Sequence, residues 1–315
     1  MTKAIKWVAT DFGGPGALRA VEVDVPAPGP GQATIEVRAA GMNPADAKHI
    51  APGQVRRLLP LEIGYEVAGV VTDVGVGPQP APVKTGDEVI AALVTGGWAT
   101  AMTVPVTDLF ARPAPLTFAQ AANLMLVGTT AADLLHTSGA RSGDTILLHG
   151  AAGAVGTSVL QQARVLGVRV IGTASPGDFD LVRQFGGIPV AYGPGLLGRV
   201  RTAAPSGVAA ALDTVGSGEA GDVSLSLVPD RSRVVTIVAA ARAKSDGYVF
   251  VGASNSESGP FRAQARSRIA ALAESGDLTV PIAQTFAFGD APAALAMLTG
   301  PHPAGKLALV TGNGG

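Results

Sequence analysis

Between the N-terminus and about residue 110, short β-branched runs follow one another: "ATIEVRAAG", "EVAGVVTDVG", "DEVIAAL" and "WATAMTVPV". Clusters of Gly and Pro such as "PAPGPGQ" and "GVGPQPAPVKTGD" separate them, and no helical alternation runs through the region. This pattern predicts a mainly antiparallel β region. From "LTFAQAANLMLVGTTAADLLHTSG" onward the texture changes to helices alternating with the apolar strands "TILLHG", "VRVIGTA", "VAAALDTV" and "RVVTIVA". That alternation predicts a parallel sheet with helices on both faces. After about residue 260, "FRAQARSRIAALAESG" and "DAPAALAMLTG" carry helical periodicity, and the chain closes on a strand, "GKLALV".

With 315 residues, 47% of them hydrophobic, the chain can bury a large core, and its length suggests two domains. Lys and Arg (23) nearly balance Asp and Glu (24), so nucleic acid and strongly charged partners are not expected, and a small molecule or nucleotide is. The absence of cysteine excludes disulfides, thiolate catalysis and sulfur-ligated zinc. The start, "MTKAIKWVATDFGGPG", has no apolar core of signal-peptide length, and no later run has the length of a membrane span. The expectation is a soluble, cytoplasmic protein.

The stretch "LLHGAAGAVGTSVLQQARVLGVRVIGTAS", Leu147 to Ser175, reads as strand, glycine-rich turn, helix and second strand. Gly150, Gly153 and Gly156 let the chain bend tightly and approach a pyrophosphate, with helix N-terminal amides facing the negative charge. A strict G-x-G-x-x-G would place glycine at Ala151, Gly153 and Gly156, so its first position departs. A glycine-rich turn that binds no dinucleotide is the alternative. The second strand finishes on Thr173, Ala174 and Ser175, where an acid would accept from ribose hydroxyls and repel a 2′-phosphate. Ser175 can donate to a phosphate oxygen without adding charge, which favours NADP(H) over NAD(H). Asp178 or Asp180 would weaken that preference by turning inward, and an ordinary loop role for Ser175 stays open.

The motifs "GAAGAVG", "AGMNPADAKH", "GYEVAGVVTDVGVG", "VKTGDEVIA" and "LDTVG" occur in the order seen in medium-chain dehydrogenases/reductases. From about residue 3 to 310 the chain resembles their zinc-free quinone oxidoreductase branch, the zeta-crystallin-like group. The resemblance implies an α/β protein with a GroES-like, mainly-β catalytic domain at 1–122 and a Rossmann NADP(H)-binding domain, a doubly wound parallel sheet, at 123–262. Residues 263–315 would supply C-terminal helices and a strand that return to the catalytic domain. In zinc-dependent relatives the segments matching "AGMNPAD" and "GYE" carry a metal-ligand Cys and His. Here those positions are Asn43 and Tyr65, Glu66 has no His or Cys at ligand spacing, and zinc is not expected. His49, His136, His149 and His302 are scattered, and solvent or turn roles are expected for them.

The resemblance also implies a set of cofactor contacts. "VGTTA" matches the start of the linking helix and would put Thr130 near the nicotinamide and its phosphates, with Val127 replacing a polar residue. Gly150, Ala152, Gly153, Ala154 and Val155 would form the pyrophosphate turn, and Ser175 would meet the 2′-phosphate. Tyr192, in "PVAYGPG", would cover the adenine end. Val215 with Gly216, Ile237, Phe250 and Val251 end segments that border the nicotinamide in relatives, with ordinary core as the alternative for the apolar ones. Relatives often carry a lysine a few residues after Ser175; here none stands there, and Arg183, on the following helix, is the nearest cation. Asn43 would bond near the nicotinamide ribose or substrate. Tyr65 is a candidate proton donor or carbonyl orienter, or a packing residue, and Asp46 and Lys48 either orient that wall or form a surface ion pair.

Hydride transfer from NADPH needs the reacting carbon held close to its acceptor in a water-poor cleft, and no metal when the acceptor is already electron-poor. Quinones and α,β-unsaturated carbonyl compounds fit; simple alcohols, whose oxidation asks for a Lewis acid or strong base, do not. The expected function is a zinc-independent NADPH-dependent reductase. The alternatives are an enoyl-thioester or polyketide-type enoyl reductase and a non-catalytic NADPH-binding regulatory protein. A homodimer paired through an edge strand in "GYVFVGASN" is expected from the same resemblance. Arg56 and Arg57, in the loop between Lys48 and Glu62, either meet an anionic substrate or are solvated.

Overall fold

The computed structural model describes residues 2–52, 59–78, 81–252 and 257–312. Arg56 and Arg57 lie outside the described residues. The chain divides into two compact units, Met1–Leu126 with Thr279–Gly315, and Val127–Leu278.

The first unit is built on a seven-stranded sheet. In spatial order it runs Ile282–Ala287, Lys306–Val310, Gln32–Gly41, Glu66–Val74, Glu88–Ala92 and Leu109–Ala111, with Ala101–Pro105 also pairing Gln32–Gly41. All pairings are antiparallel except that between the two C-terminal strands. A three-stranded sheet of Leu18–Val25, Thr2–Ala9 and Leu61–Glu62 accompanies it. One apolar core, including Ile35, Val37, Val67, Val89, Trp98, Leu295 and Leu309, holds this unit. The short helix Pro44–His49 interrupts the β pattern. Asn before the helix, Pro at its first position and Asp46 accepting the Asn43 amide at 2.7 Å form a start signal that hydrophobic alternation does not carry.

The second unit is a six-stranded parallel sheet ordered Ile188–Ala191, Arg169–Ala174, Thr145–His149, Ala210–Asp213, Val234–Thr236 and Val249–Phe250. Numbered by their appearance in the chain these strands run 3-2-1-4-5-6, the doubly wound order of dinucleotide-binding sheets. Successive residues feed opposite cores. Ile146, Leu148, Val170, Ala210, Leu212 and Val235 enter one, while Leu147, Ile171, Ala211 and Val234 enter the other. A two-residue period with both faces buried explains why these strands read as unbroken apolar runs. Burial of each large side chain contributes roughly 1.5–3 kcal/mol.

The unit boundaries fall at Leu126/Val127 and Leu278/Thr279, against the expected 122 and 262. Helix Ser258–Glu274 accounts for the second shift: Ala265, Ile269 and Ala273 form a buried stripe, Ile269 packs over Gly128, and Arg262 binds buried Asp133 at 2.7 Å. These contacts hold the helix within the second unit. Among the described residues, no helix is long and apolar enough to cross a membrane.

Candidate functional site

In the second unit a pocket of about 470 Å³ opens at the carboxyl ends of the parallel strands, where their order reverses. It is lined by Gly150, Ala152, Gly153, Ser175, Tyr192 and Val215 of the expected set, and also by His149, Thr173, Asp178, Ser217 and Glu219. A crevice at this topological position is where open α/β sheets take ligands.

The three turn glycines have different reasons to be glycine. Gly150 has φ +80°, and a Cβ there would meet Thr214 Oγ1 at 2.5 Å. A Cβ on Gly156 would fall 2.1 Å from the Gly150 carbonyl oxygen, so this glycine lets helix and strand approach. Gly153 has φ −69° and only one protein atom near its would-be Cβ, at 3.3 Å, yet it lines the pocket. Of the three turn glycines, Gly153 is the least constrained by its protein neighbours, and it faces the pocket. Ala151 holds the departed first position because Gly172, on the neighbouring strand, leaves room for its methyl group: a Cβ on Gly172 would sit 2.6 Å from it. Helix Ala154–Leu166 begins directly after Gly153 with no side-chain cap, which leaves its first amides and positive dipole end available to an anion.

The remaining walls are fixed by hydrogen bonds. Asp213 Oδ1 accepts from the Val215 and Gly216 amides at 2.9 Å, and Oδ2 from Thr236 Oγ1 at 2.9 Å, which leaves Val215 54% exposed at the pocket. Glu219 accepts from the Gly193 amide at 2.8 Å, and Arg199 binds the Ala191, Gly193 and Pro194 carbonyls, so the loop carrying Tyr192 is held at both sides. His149 corrects the expected solvent or turn role. It is 2% exposed, its Nε2 pairs with Ser224 Oγ at 3.1 Å, and burial pushes its pKa down to about 4 against the pull of Asp213 and Glu219. A neutral imidazole therefore faces the pocket.

Ser175 does not stand alone. Its Oγ donates to Asp178 Oδ2 at 2.5 Å, and both residues line the pocket, so Asp178 is the acid that turned inward. Asp180 points out, 98% exposed by side chain and paired with Arg183. Thr130, Ala154, Val155, Ile237, Phe250 and Val251 are not among the pocket-lining residues. Thr130 is buried on helix Leu124–Thr137, Val251 and the half-buried Ile237 belong to one core of the sheet, and Phe250 packs against the other.

The first unit holds a sealed polar network. Lys306 Nζ donates to the Met42 carbonyl and to Asn43 Oδ1 at 2.6 Å; Asn43 Nδ2 donates to Glu66 Oε1 at 3.1 Å; Leu126 N–H donates to Glu66 Oε2 at 2.7 Å. Asp46 accepts from the Asn43 and Gly64 amides. It is buried, not in a surface ion pair with Lys48, and burial pushes its pKa up to about 7. Burial likewise raises Glu66 and lowers Lys306, while their mutual attraction opposes both shifts. Asn43 is 1% exposed, with its amide engaged inside this network. Lys306 escapes a sequence search because it sits in the apolar strand "GKLALV", where nothing marks it as charged core.

Tyr65 is half-buried, and its hydroxyl meets the His49 imidazole at Nδ1. Burial, then the Asp46 carboxylate, raises its pKa to about 12, so the phenol keeps its proton through the neutral range. Tyr65 and His49 are thus brought together, a pairing their separate roles in the sequence did not suggest. Among the described residues, no three His, Cys, Asp or Glu side chains gather in a metal-ligating group.

Residues 29–114 match the alcohol dehydrogenase GroES-like domain, and residues 196–309 match the zinc-binding dehydrogenase model. The structure of a mycobacterial quinone oxidoreductase superposes with a TM-score of 0.79 at 30% identity, over 98% of this chain and 99% of that one. The chain belongs to the quinone oxidoreductase branch of the medium-chain dehydrogenases/reductases. A second member, Escherichia coli quinone oxidoreductase complexed with NADPH, gives a TM-score of 0.82 at 26% identity, over 97% of this chain and 99% of that one. The rat synaptic vesicle membrane protein VAT-1 homolog is 37% identical over 220 residues, 67% of this chain and 54% of that protein. The chain spans about half the length of the curated relatives it matches. The parallel sheet order, and a pocket at the point where that order reverses, are where open α/β sheets take ligands.

Proposed function

We propose that the protein is an NADPH-dependent reductase that transfers hydride to a quinone or an α,β-unsaturated carbonyl compound without zinc. The observation that carries this reading is Gly153: a pocket-lining glycine with ordinary negative φ and one protein atom near its would-be Cβ, at the N-terminus of an uncapped helix. That cradle fits a pyrophosphate, and the family membership and the NADPH complex of the E. coli relative support the cofactor. NADPH supplies the hydride when bound.

The chain's own residues then divide the work. The turn Gly150–Gly153 and the first amides of helix Ala154–Leu166 bind phosphate. Tyr192 and Val215 shape the pocket walls. Tyr65 retains its proton at neutral pH, so it can donate to a substrate oxygen as charge develops there, with His49 as its hydrogen-bond partner. Asn43 acts as a positioning residue through the buried network. With Asn43 and Tyr65 in place of metal-ligand types, the acceptor must supply its own electrophilicity, which selects quinones and enones. The edge strand Val249–Phe250 would pair two copies of the sheet in a homodimer.

The test is NADPH oxidation by purified protein with a simple quinone and a simple enone, alongside NADP(+) reduction with primary alcohols. Turnover of the first pair supports the reading. Efficient alcohol oxidation with no turnover of quinones or enones overturns it.

A further inference from the structure

We infer that Asp178 is the residue that sets nucleotide selectivity, and that its carboxylate in the pocket lets NADH compete with NADPH on nearly equal terms. The inference rests on the pocket being the dinucleotide site and concerns only its adenosine end. Ser175 follows the second parallel strand, where the ribose 2′ position is read. A serine hydroxyl has one proton to donate, and here Ser175 donates it to Asp178 Oδ2 at 2.5 Å. Ser175 therefore presents lone pairs, and Asp178 presents a carboxylate; both accept hydrogen bonds from ribose hydroxyls, and neither donates to a phosphate.

Among the described residues that line the pocket, Asp178 and Glu219 are the charged side chains, and no Lys or Arg stands beside them. His149 is held neutral by burial. Arg183, the nearest cation by sequence, is bonded to Asp180 at 2.7 Å, and Arg199 is bonded to three backbone carbonyls. A 2′-phosphate would bring a second anion against Asp178 with no cation between them. Ser175 alone would favour NADPH; Ser175 bonded to Asp178 removes most of that preference.

The experiment measures Kd for NADPH and NADH with the full chain, by the fluorescence of the bound reduced nicotinamide, in three proteins: the unmodified chain, Asp178→Asn and Asp180→Asn. The unmodified chain is expected to bind the two nucleotides within about tenfold of each other. Asp178→Asn keeps the shape of the side chain, removes its charge, and can donate from its amide. It is expected to tighten NADPH at least about tenfold relative to NADH. Asp180→Asn removes an equal charge outside the pocket and is expected to leave the ratio unchanged. A thermal melt of each protein without nucleotide verifies folding, and Asp178→Ser provides a second uncharged variant. Strong NADPH selectivity in the unmodified chain that Asp178→Asn does not alter would overturn the inference and leave the dinucleotide reading intact. An equal response to Asp180→Asn would also overturn it. Failure of both nucleotides to bind any of the proteins would overturn the dinucleotide reading, and this inference with it.

Discussion

Each unit carries a cluster of charged and polar side chains, and the two clusters are built to opposite ends. In the first unit Lys306, Asn43, Asp46 and Glu66 are buried and bind one another and nearby backbone groups. In the second, Asp213 and Glu219 bind backbone amides to shape walls around a pocket, and Gly153 and an uncapped helix start face its open space. A cluster whose donors and acceptors are matched internally fixes a fold, because removing one member strands the others in low dielectric. A cluster that is rigid around unmatched groups offers them to a ligand. Residue type alone does not tell the two apart.

The largest effect should come from opening the sealed cluster. Lys306→Met leaves two buried carboxylates without their cation and is expected to destabilise the first unit by about 3–5 kcal/mol. Both tryptophans, Trp7 and Trp98, lie in that unit, so a denaturant titration followed by tryptophan fluorescence reports on it selectively. A loss below about 1 kcal/mol would break the comparison, since the network would then contribute no more than a surface pair.

Two glycine substitutions sharpen it from the other side. Gly156→Val forces a Cβ to within 2.1 Å of the Gly150 carbonyl oxygen and is expected to cost about 1–3 kcal/mol or more in the second unit. Gly153→Ala, at a helix start with space around it, should cost under about 1 kcal/mol in stability. It should nevertheless weaken NADPH at least about tenfold, about 1.4 kcal/mol, as titration calorimetry would read. Equal losses of stability from both substitutions would remove the argument that Gly153 serves a ligand.

Buried groups in the two units carry pH dependences of opposite sign. Asp46 goes from 3.8 to about 7 on folding, so between those values the folded state holds the extra proton and stability falls as pH rises. Glu66, raised by burial, acts in the same direction. His149 goes from 6.5 to about 4, so across that window the unfolded state holds the extra proton and stability rises with pH. Tryptophan-detected stability of the first unit should therefore decline from pH 5 to 7, with a shallower decline in Asp46→Asn. Hydrogen exchange of the Thr145–His149 amides should slow over pH 4 to 6.5 beyond its intrinsic pH dependence, and His149→Gln should flatten that gain, the smallest effect of the set.

Much of this architecture is legible in the sequence, for physical reasons. Parallel strands buried on both faces read as continuous apolar runs, and Gly150 and Gly156 sit at a strand-to-helix junction where backbone geometry and close packing call for glycine. Six of the expected cofactor residues, from Gly150 to Val215, meet in one pocket because they end neighbouring strands. The rest depended on contacts between residues far apart in sequence. Lys306 reaches Asn43 across 263 positions, and His149 meets Ser224 across 75. The side-chain direction of Asp178 was equally hidden, since one turn of backbone decides between Asp178 and Asp180 as the inward acid. Helix Pro44–His49 carries its start signal in Asn43, Pro44 and Asp46, which hydrophobic spacing does not register.

The measurement that tests the central claim most directly is the decay of NADPH absorbance in the presence of purified protein and a simple quinone, repeated with Gly153→Ala. The account predicts turnover by the unmodified chain and a markedly higher KM for NADPH in the variant at unchanged fold. Nucleotide binding without turnover of any quinone or enone would contradict it.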